Sequence, residues 1–173
     1  MQGGFFRQMK DSLTTALIGE LKAVFGTDTR RIEHALAVLD FAEQIRAAEG
    51  GDAEVIRPAA ILHDIGIPEA ERRYGSSAGK HQEMEGPPIA RKICRIHGMR
   101  DEDIEHVCRI VGSHHSALDI DTLEFRVLWD ADCLVNFEDV FGRSGASDRK
   151  ERIQKTFKTA TGRAIALKRL VQS

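Results

Sequence analysis

The sequence predicts an all-α fold, a single-domain helical bundle over residues 1–173, and three observations predict it. Apolar residues recur three and four apart along most of the chain, the spacing of one face of a helix. Helix punctuation separates these runs, with Ser, Thr, Asp or Pro before them and Gly after many of them. Strand signals are close to absent, with no alternating Val/Thr/Tyr runs and no Asn-Gly or Asp-Gly hairpin turns.

The elements follow in order. Ser12 is placed to cap a first helix over 12–25, with Leu13, Leu17, Leu21 and Val24 on one face and Gly26 as its stop. A second helix follows Thr27-Asp28-Thr29, carries Ile32, Ala35, Leu36, Leu39, Ala42 and Ile45, and ends at Gly50-Gly51. Asp52 opens a third that runs to Gly66-Ile67-Pro68, with Pro58 either kinking it or starting it. Residues 69–82 read as irregular. Pro87-Pro88 begin a helix to about His97, and Asp101 caps another that carries Ile104, Val107, Cys108 and Val111 up to His114-His115. Asp121 or Thr122 caps the next, through Leu128, Ala131, Leu134 and Val135. A loop over 142–147 and a basic amphipathic helix over 147–171 close the chain. The core is expected over 27–140, with the first and last helices packed on it.

Composition narrows the function. At 173 residues, with 42% hydrophobic and 30% charged, the chain can build a full core. A net charge of -2 argues against a nucleic-acid polymer as partner. No apolar stretch approaches the roughly 20 residues that span a bilayer, and Met1-Gln2-Gly3-Gly4-Phe5-Phe6-Arg7 is not a signal peptide, so no membrane partner and a cytoplasmic location are expected. Cys94, Cys108 and Cys133 form no CxxC pair and read as small buried hydrophobes. A homo-oligomer is compatible with all of this.

The chemistry lies in His63-Asp64, at the end of the apolar run Ala59-Ala60-Ile61-Leu62. Aspartate is seldom buried unless paired or coordinated, and at a helix C-terminus it meets an unfavourable dipole, so a cation is expected beside it. His114-His115 ends a helix with both imidazoles near its apolar face. Asp130 and Asp132 sit in an otherwise apolar helix and point in opposite directions, and helical spacing from Leu128 and Val135 turns Asp132 inward. His34, at the edge of an apolar stripe, and His81 would draw no comment alone. Histidine and carboxylate together suit Mn, Fe, Co, Ni or Zn. His97 and His106 read as a helix-end residue and a surface residue.

The order His34, His63-Asp64, Ala131-Asp132 resembles the HD superfamily of metal-dependent phosphohydrolases, whose signature is a His, a His-Asp pair at the end of a core helix and a late Asp. The likeness covers roughly residues 27–140. His81 and His114-His115 match further histidines of two-metal members such as the HD-GYP phosphodiesterases. The resemblance implies a first metal on His34, His63, Asp64 and Asp132, and a second on His81, His114 and His115 with Asp64 as bridge. There are departures: Ile67 stands where HD-GYP members carry Lys, the Gly-Tyr-Pro signature is missing, and Arg30 replaces the Glu that some members place four residues before the first His. They argue against cyclic-dinucleotide cleavage and for two metals rather than three.

The expected function is hydrolysis of a phosphomonoester, nucleotide or phosphodiester by a metal-activated hydroxide, with Asp64 and His63 at its centre. Two divalent ions are implied, Fe or Mn favoured over Co, Ni, Zn or Mg. The expected partner is a small phosphorylated substrate, and Arg72, Arg73 and Lys80 are candidates to bind it. A mixed-valent di-iron oxygenase of the same superfamily is the alternative, and a non-catalytic binding module the third reading.

Overall fold

Helix α3 (Ala53–Leu62) is apolar except for Glu54 and Arg57, and the other helices close around it: Val55, Ile56, Pro58, Ala59, Ala60, Ile61 and Leu62 are all buried. The computed structural model describes residues 2–142 and 146–172. The remaining elements are α1 (Gln2–Phe25), α2 (Thr29–Glu49), α4 (Ile67–Tyr74), α5 (Gly79–Ile96), α6 (Asp101–Val111), α7 (Leu123–Val135), α8 (Phe137–Phe141), α9 (Ala146–Thr156) and α10 (Ala160–Gln172). Among the described residues there is no strand and no helix long and apolar enough to cross a membrane. The fold is all-α. Helix α2 lies along α7, α5 along α6, and α3 touches α1, α2, α6 and α7.

Several ends fall where the sequence places them. The Asp28 side chain accepts a hydrogen bond from Arg31 N at the start of α2, Asp52 accepts from Glu54 N at the start of α3, and Thr122 accepts from Phe125 N at the start of α7. On α2 the buried stripe is Ile32, Ala35, Val38, Ala42 and Ile45, with Leu36 and Leu39 at its margin.

Other ends differ from the expectation. Helix α1 begins at Gln2 rather than at Ser12, because only Gly3-Gly4 opposes a helix there and a glycine costs about 1 kcal/mol. Helix α3 continues through Pro58 and stops at Leu62. Residues 63–66 then form tight turns closed by Ile65 N to Leu62 O and Ile67 N to Asp64 O. The segment expected to be irregular holds α4, which begins with Pro68 in its first turn. Arg72 and Arg73 pair with Glu69 one turn back, and Gly75 ends the helix in the left-handed region at φ 60°. Helix α5 starts at Gly79, eight residues before Pro87, so both prolines lie inside it. The expected last helix is two. Ala146 already begins α9, and residues 143–145 of the expected loop lie outside the described ones.

The break between α9 and α10 comes from Asp130. Its fully buried carboxylate accepts from Lys158 N at 2.8 Å, Thr159 N at 2.7 Å and the Thr159 hydroxyl at 2.7 Å, which takes those amides out of a helical ladder. Burial pushes the Asp130 carboxyl up, opposed by these donors.

Two glycines bring the elements together. A Cβ on Gly66 would lie 2.6 Å from Gly86 N and 2.7 Å from Gln82 O, so the turn after α3 rests on the α5 backbone. A Cβ on Gly86 would meet Val111 Cγ1 at 2.7 Å, which lets α6 close on the other side. Replacing Gly66 with Ala should therefore cost about 1–3 kcal/mol, measured as a lower urea midpoint at unchanged m-value. An unchanged midpoint would contradict this packing.

Candidate metal centre

Five elements send side chains to one cleft. Helix α2 supplies His34 from its second turn, and the turn after α3 supplies His63 and Asp64. The first turn of α5 supplies Gln82, the turn after α6 supplies His114 and His115, and α7 supplies Asp132 near its end. The cleft has a volume of about 250 Å³.

Four donors converge first. His34 Nε2 lies 3.1 Å from Asp132 Oδ1, 3.3 Å from His63 Nε2 and 3.6 Å from Asp64 Oδ2. His63 Nε2 lies 3.4 Å from Asp64 Oδ2 and 3.8 Å from Asp132 Oδ1. Ligands about 2.1 Å from one ion stand about 3.0–3.4 Å apart at octahedral or tetrahedral angles, so this spacing fits the shell of a single cation. On the other side of Asp64, Oδ1 lies 3.5 Å from His114 Nε2, and Asp64, His114 and His115 form a second group with donor atoms within 4.8 Å of one another.

The two buried rings are aimed by the same device. His63 Nδ1 meets Ala60 O at 2.9 Å and His114 Nδ1 meets Val111 O at 2.7 Å, each the carbonyl three residues back. Each Nδ1–H donates there, which leaves Nε2 facing the cleft. His114 Nε2 is buried and makes no hydrogen bond, an arrangement that costs free energy unless an ion takes the lone pair. Asn136 Nδ2 donates to Asp132 Oδ1 at 2.9 Å and steadies that carboxylate.

Two largely buried carboxylates are held in the charged form here. Burial opposes the charge on Asp64, yet His63 and His114 hold its carboxyl well below the ordinary range. Burial likewise opposes charge on Asp132, and His34 and His63 keep it low. For His63 burial disfavours the proton, but Asp64 and Asp132 outweigh it and raise the imidazole to about 9. A divalent ion would take the place of that proton, with His63 Nε2 and the two carboxylates as its donors.

The sequence-derived residues divide clearly. His34, His63, Asp64, His114, His115 and Asp132 come together. Asp130 does not join them, being committed to α10. His81 lies outside both groups: its ring stacks on Tyr74 at 4.2 Å between centroids, and the cleft is lined by the next residue, Gln82. The start of α5 at Gly79 explains this, since it turns Gln82 and Gly86, four apart, towards the turn at Gly66. Arg72 and Arg73 pair with Glu69, and Arg73 also with Glu85; neither they nor Lys80 line the cleft. Arg30 and Arg31 do, and sequence reasoning did not place them in the cleft. The available signal was their position three and four residues before His34, one turn up the same helix. His97 joins Glu20 at 3.0 Å and ties α5 to α1, while His106 is half-buried and meets Thr122 Oγ1 at 2.8 Å, supporting the cap of α7.

Comparison with known proteins identifies the fold family. The model of the HD domain family matches residues 31–136. Ribonuclease Y from Campylobacter curvus (strain 525.92) is 28% identical over 120 residues, which is 69% of this chain and 21% of that protein. The chain thus spans about a fifth of the relative's length. Among solved structures, a predicted HD superfamily hydrolase from an uncultured Thermotogales bacterium superposes with a TM-score of 0.63 at 25% identity, covering 94% of this chain and 83% of that one.

The two aspartates of α7 should separate in experiment. Asp130→Ala strands three buried donors and should lower stability by about 2–4 kcal/mol while metal content is retained. Asp132→Ala should lose bound metal at far smaller cost in folding. Metal analysis beside urea unfolding reads both, and the reverse pattern would exchange their roles.

Proposed function

The chain belongs to the HD domain family, a hydrolase-type fold that binds divalent metals, and from that premise we propose that it is a metal-dependent phosphohydrolase acting on a small phosphoester. The observation that carries the reading is Asp64, whose two oxygens face two separate donor groups across one open cleft. In this reading His34, His63, Asp64 and Asp132 hold one ion, and Asp64, His114 and His115 offer a place for a second. When bound, such ions would lower the pKa of a coordinated water, supplying a hydroxide nearer neutral pH, and neutralise charge developing on a phosphoryl group.

The protein's own groups do the rest. The carbonyls of Ala60 and Val111 fix the buried rings, and Asn136 fixes Asp132, so the donors are set before any ligand arrives. Arg31 is held at the rim by Glu71, and Arg30 is exposed beside it with no ion pair among the described residues. Together they place positive charge where a phosphate enters, and Arg30 is the one free to pair with it. The cleft's size suits a small phosphoester. Likeness to a ribonuclease adds support for a phosphodiester among the substrates, though it extends over a fifth of that enzyme.

A panel of phosphomonoesters, nucleotides and phosphodiesters assayed with Mn, Fe, Co, Ni and Mg tests the reading. Turnover that disappears with chelation and in Asp64→Ala supports it. Iron-loaded protein that consumes O2 and hydrolyses no phosphoester would overturn it in favour of an oxygenase. On the best substrate, Arg30→Gln should raise KM about tenfold with metal content unchanged. An unaltered KM would remove Arg30 from substrate binding.

A further inference from the structure

The second donor group offers three side chains, Asp64, His114 and His115, and one of these is shared with the first. A fourth donor atom stands beside them. Gln82 is buried, at 7% exposure, and lines the same cleft as Asp64 and His115. Its two amide atoms are told apart by what they face. The nitrogen donates to Ser77 O at 2.7 Å, so the oxygen is the atom 3.2 Å from His115 Nε2. That separation matches those between neighbouring donors of the first group, 3.1 to 3.8 Å.

We propose that Gln82 is the fourth protein ligand of the second metal site, binding through its amide oxygen together with Asp64, His114 and His115. This rests on the metal-dependent reading above and goes further by naming a ligand and an order of affinity. Without an ion, His115 Nε2–H donates to Gln82 Oε1, and the two donors satisfy each other. An ion would take both lone pairs, with the imidazole proton moving by solvent exchange from Nε2 to Nδ1 so that His115 stays neutral. His114 Nε2, buried and without a hydrogen bond, is the independent sign that this side of Asp64 is built for a ligand. Gly79 contributes by its lack of a side chain: a Cβ there would lie 2.8 Å from His115 Cδ2, so the imidazole packs against the first turn of α5 beside Gln82.

The chemistry of the donor sets the ranking. An amide oxygen is neutral and a weaker donor than imidazole or carboxylate, whereas the first site has two imidazoles and two carboxylates. The first ion therefore stays with the protein, and the second binds reversibly and prefers oxygen-seeking ions such as Mn(II).

Titration of metal-free protein with Mn(II), read by calorimetry and by metal analysis after desalting, tests this. Wild type should keep one ion through desalting and take a second weakly, with a spin-coupled electron paramagnetic resonance signal appearing only in excess Mn(II). Gln82→Leu should keep the first ion and weaken the second by about tenfold or more, and Gln82→His should tighten the second by about tenfold or more. Second-ion affinity equal to wild type in both variants would overturn the proposal. A wild type that retains no ion, and whose Asp64→Ala variant behaves identically, would overturn the metal-dependent reading itself. Should Gln82→Leu fail to fold, Gln82→His decides alone.

Discussion

One carboxylate is held between imidazoles on both its sides. Asp64 presents Oδ2 to His34 and His63, at 3.6 and 3.4 Å, and Oδ1 to His114, at 3.5 Å. A buried carboxylate without a counter-charge is costly, and here the burial is compensated by three rings, of which His63 and His114 have their other nitrogen tied to a backbone carbonyl. Because those carbonyls belong to the last turns of α3 and α6, the site is fixed by where the two helices stop. The apolar last turns of α3 then serve a purpose beyond the core: they bury one end of a helix deeply enough that the residues leaving it emerge inside the molecule, at the floor of a cleft.

Convergence of five elements requires close backbone approach, and Gly66 and Gly86 allow it. The turn that carries His63-Asp64 lies directly on α5, and α5 lies directly on Val111 of α6. This stack carries Gln82 and His114-His115 to the same cleft as Asp64. On the far side, Asp130 draws the chain between α9 and α10 onto α7 through three donors, so neighbouring acidic residues of α7 do opposite work. Asp132 faces an open cleft and Asp130 a sealed interior, and the helical rotation between them is what separates the candidate ligand from the scaffold.

The bundle and most of the site were legible in the sequence because both depend on helical period. Spacing put Ala35, Ile45, Val107 and Leu128 in the core and turned Asp132 rather than Asp130 to the cleft. The misplacements occurred where local signals conflicted. Residues 69–82 look irregular, yet Arg72 and Arg73 reach back to Glu69 and stabilise a short helix that composition disguises. Reading α5 from Pro87 instead of Gly79 left its first turn without a register, so His81 stood out as a ligand type while Gln82 took the place in the cleft. The long basic C-terminal pattern gave no hint of its break, because the cause lies 28 residues earlier in Asp130. Tertiary hydrogen bonds of that kind leave no periodic trace.

Anomalous diffraction from crystals grown with Mn(II) tests the central claim most directly. A strong peak is expected between His34 Nε2, His63 Nε2, Asp64 and Asp132, each within about 2.0–2.3 Å of it. No peak between those four side chains, or a peak elsewhere with Asp64 left uncoordinated, would contradict it.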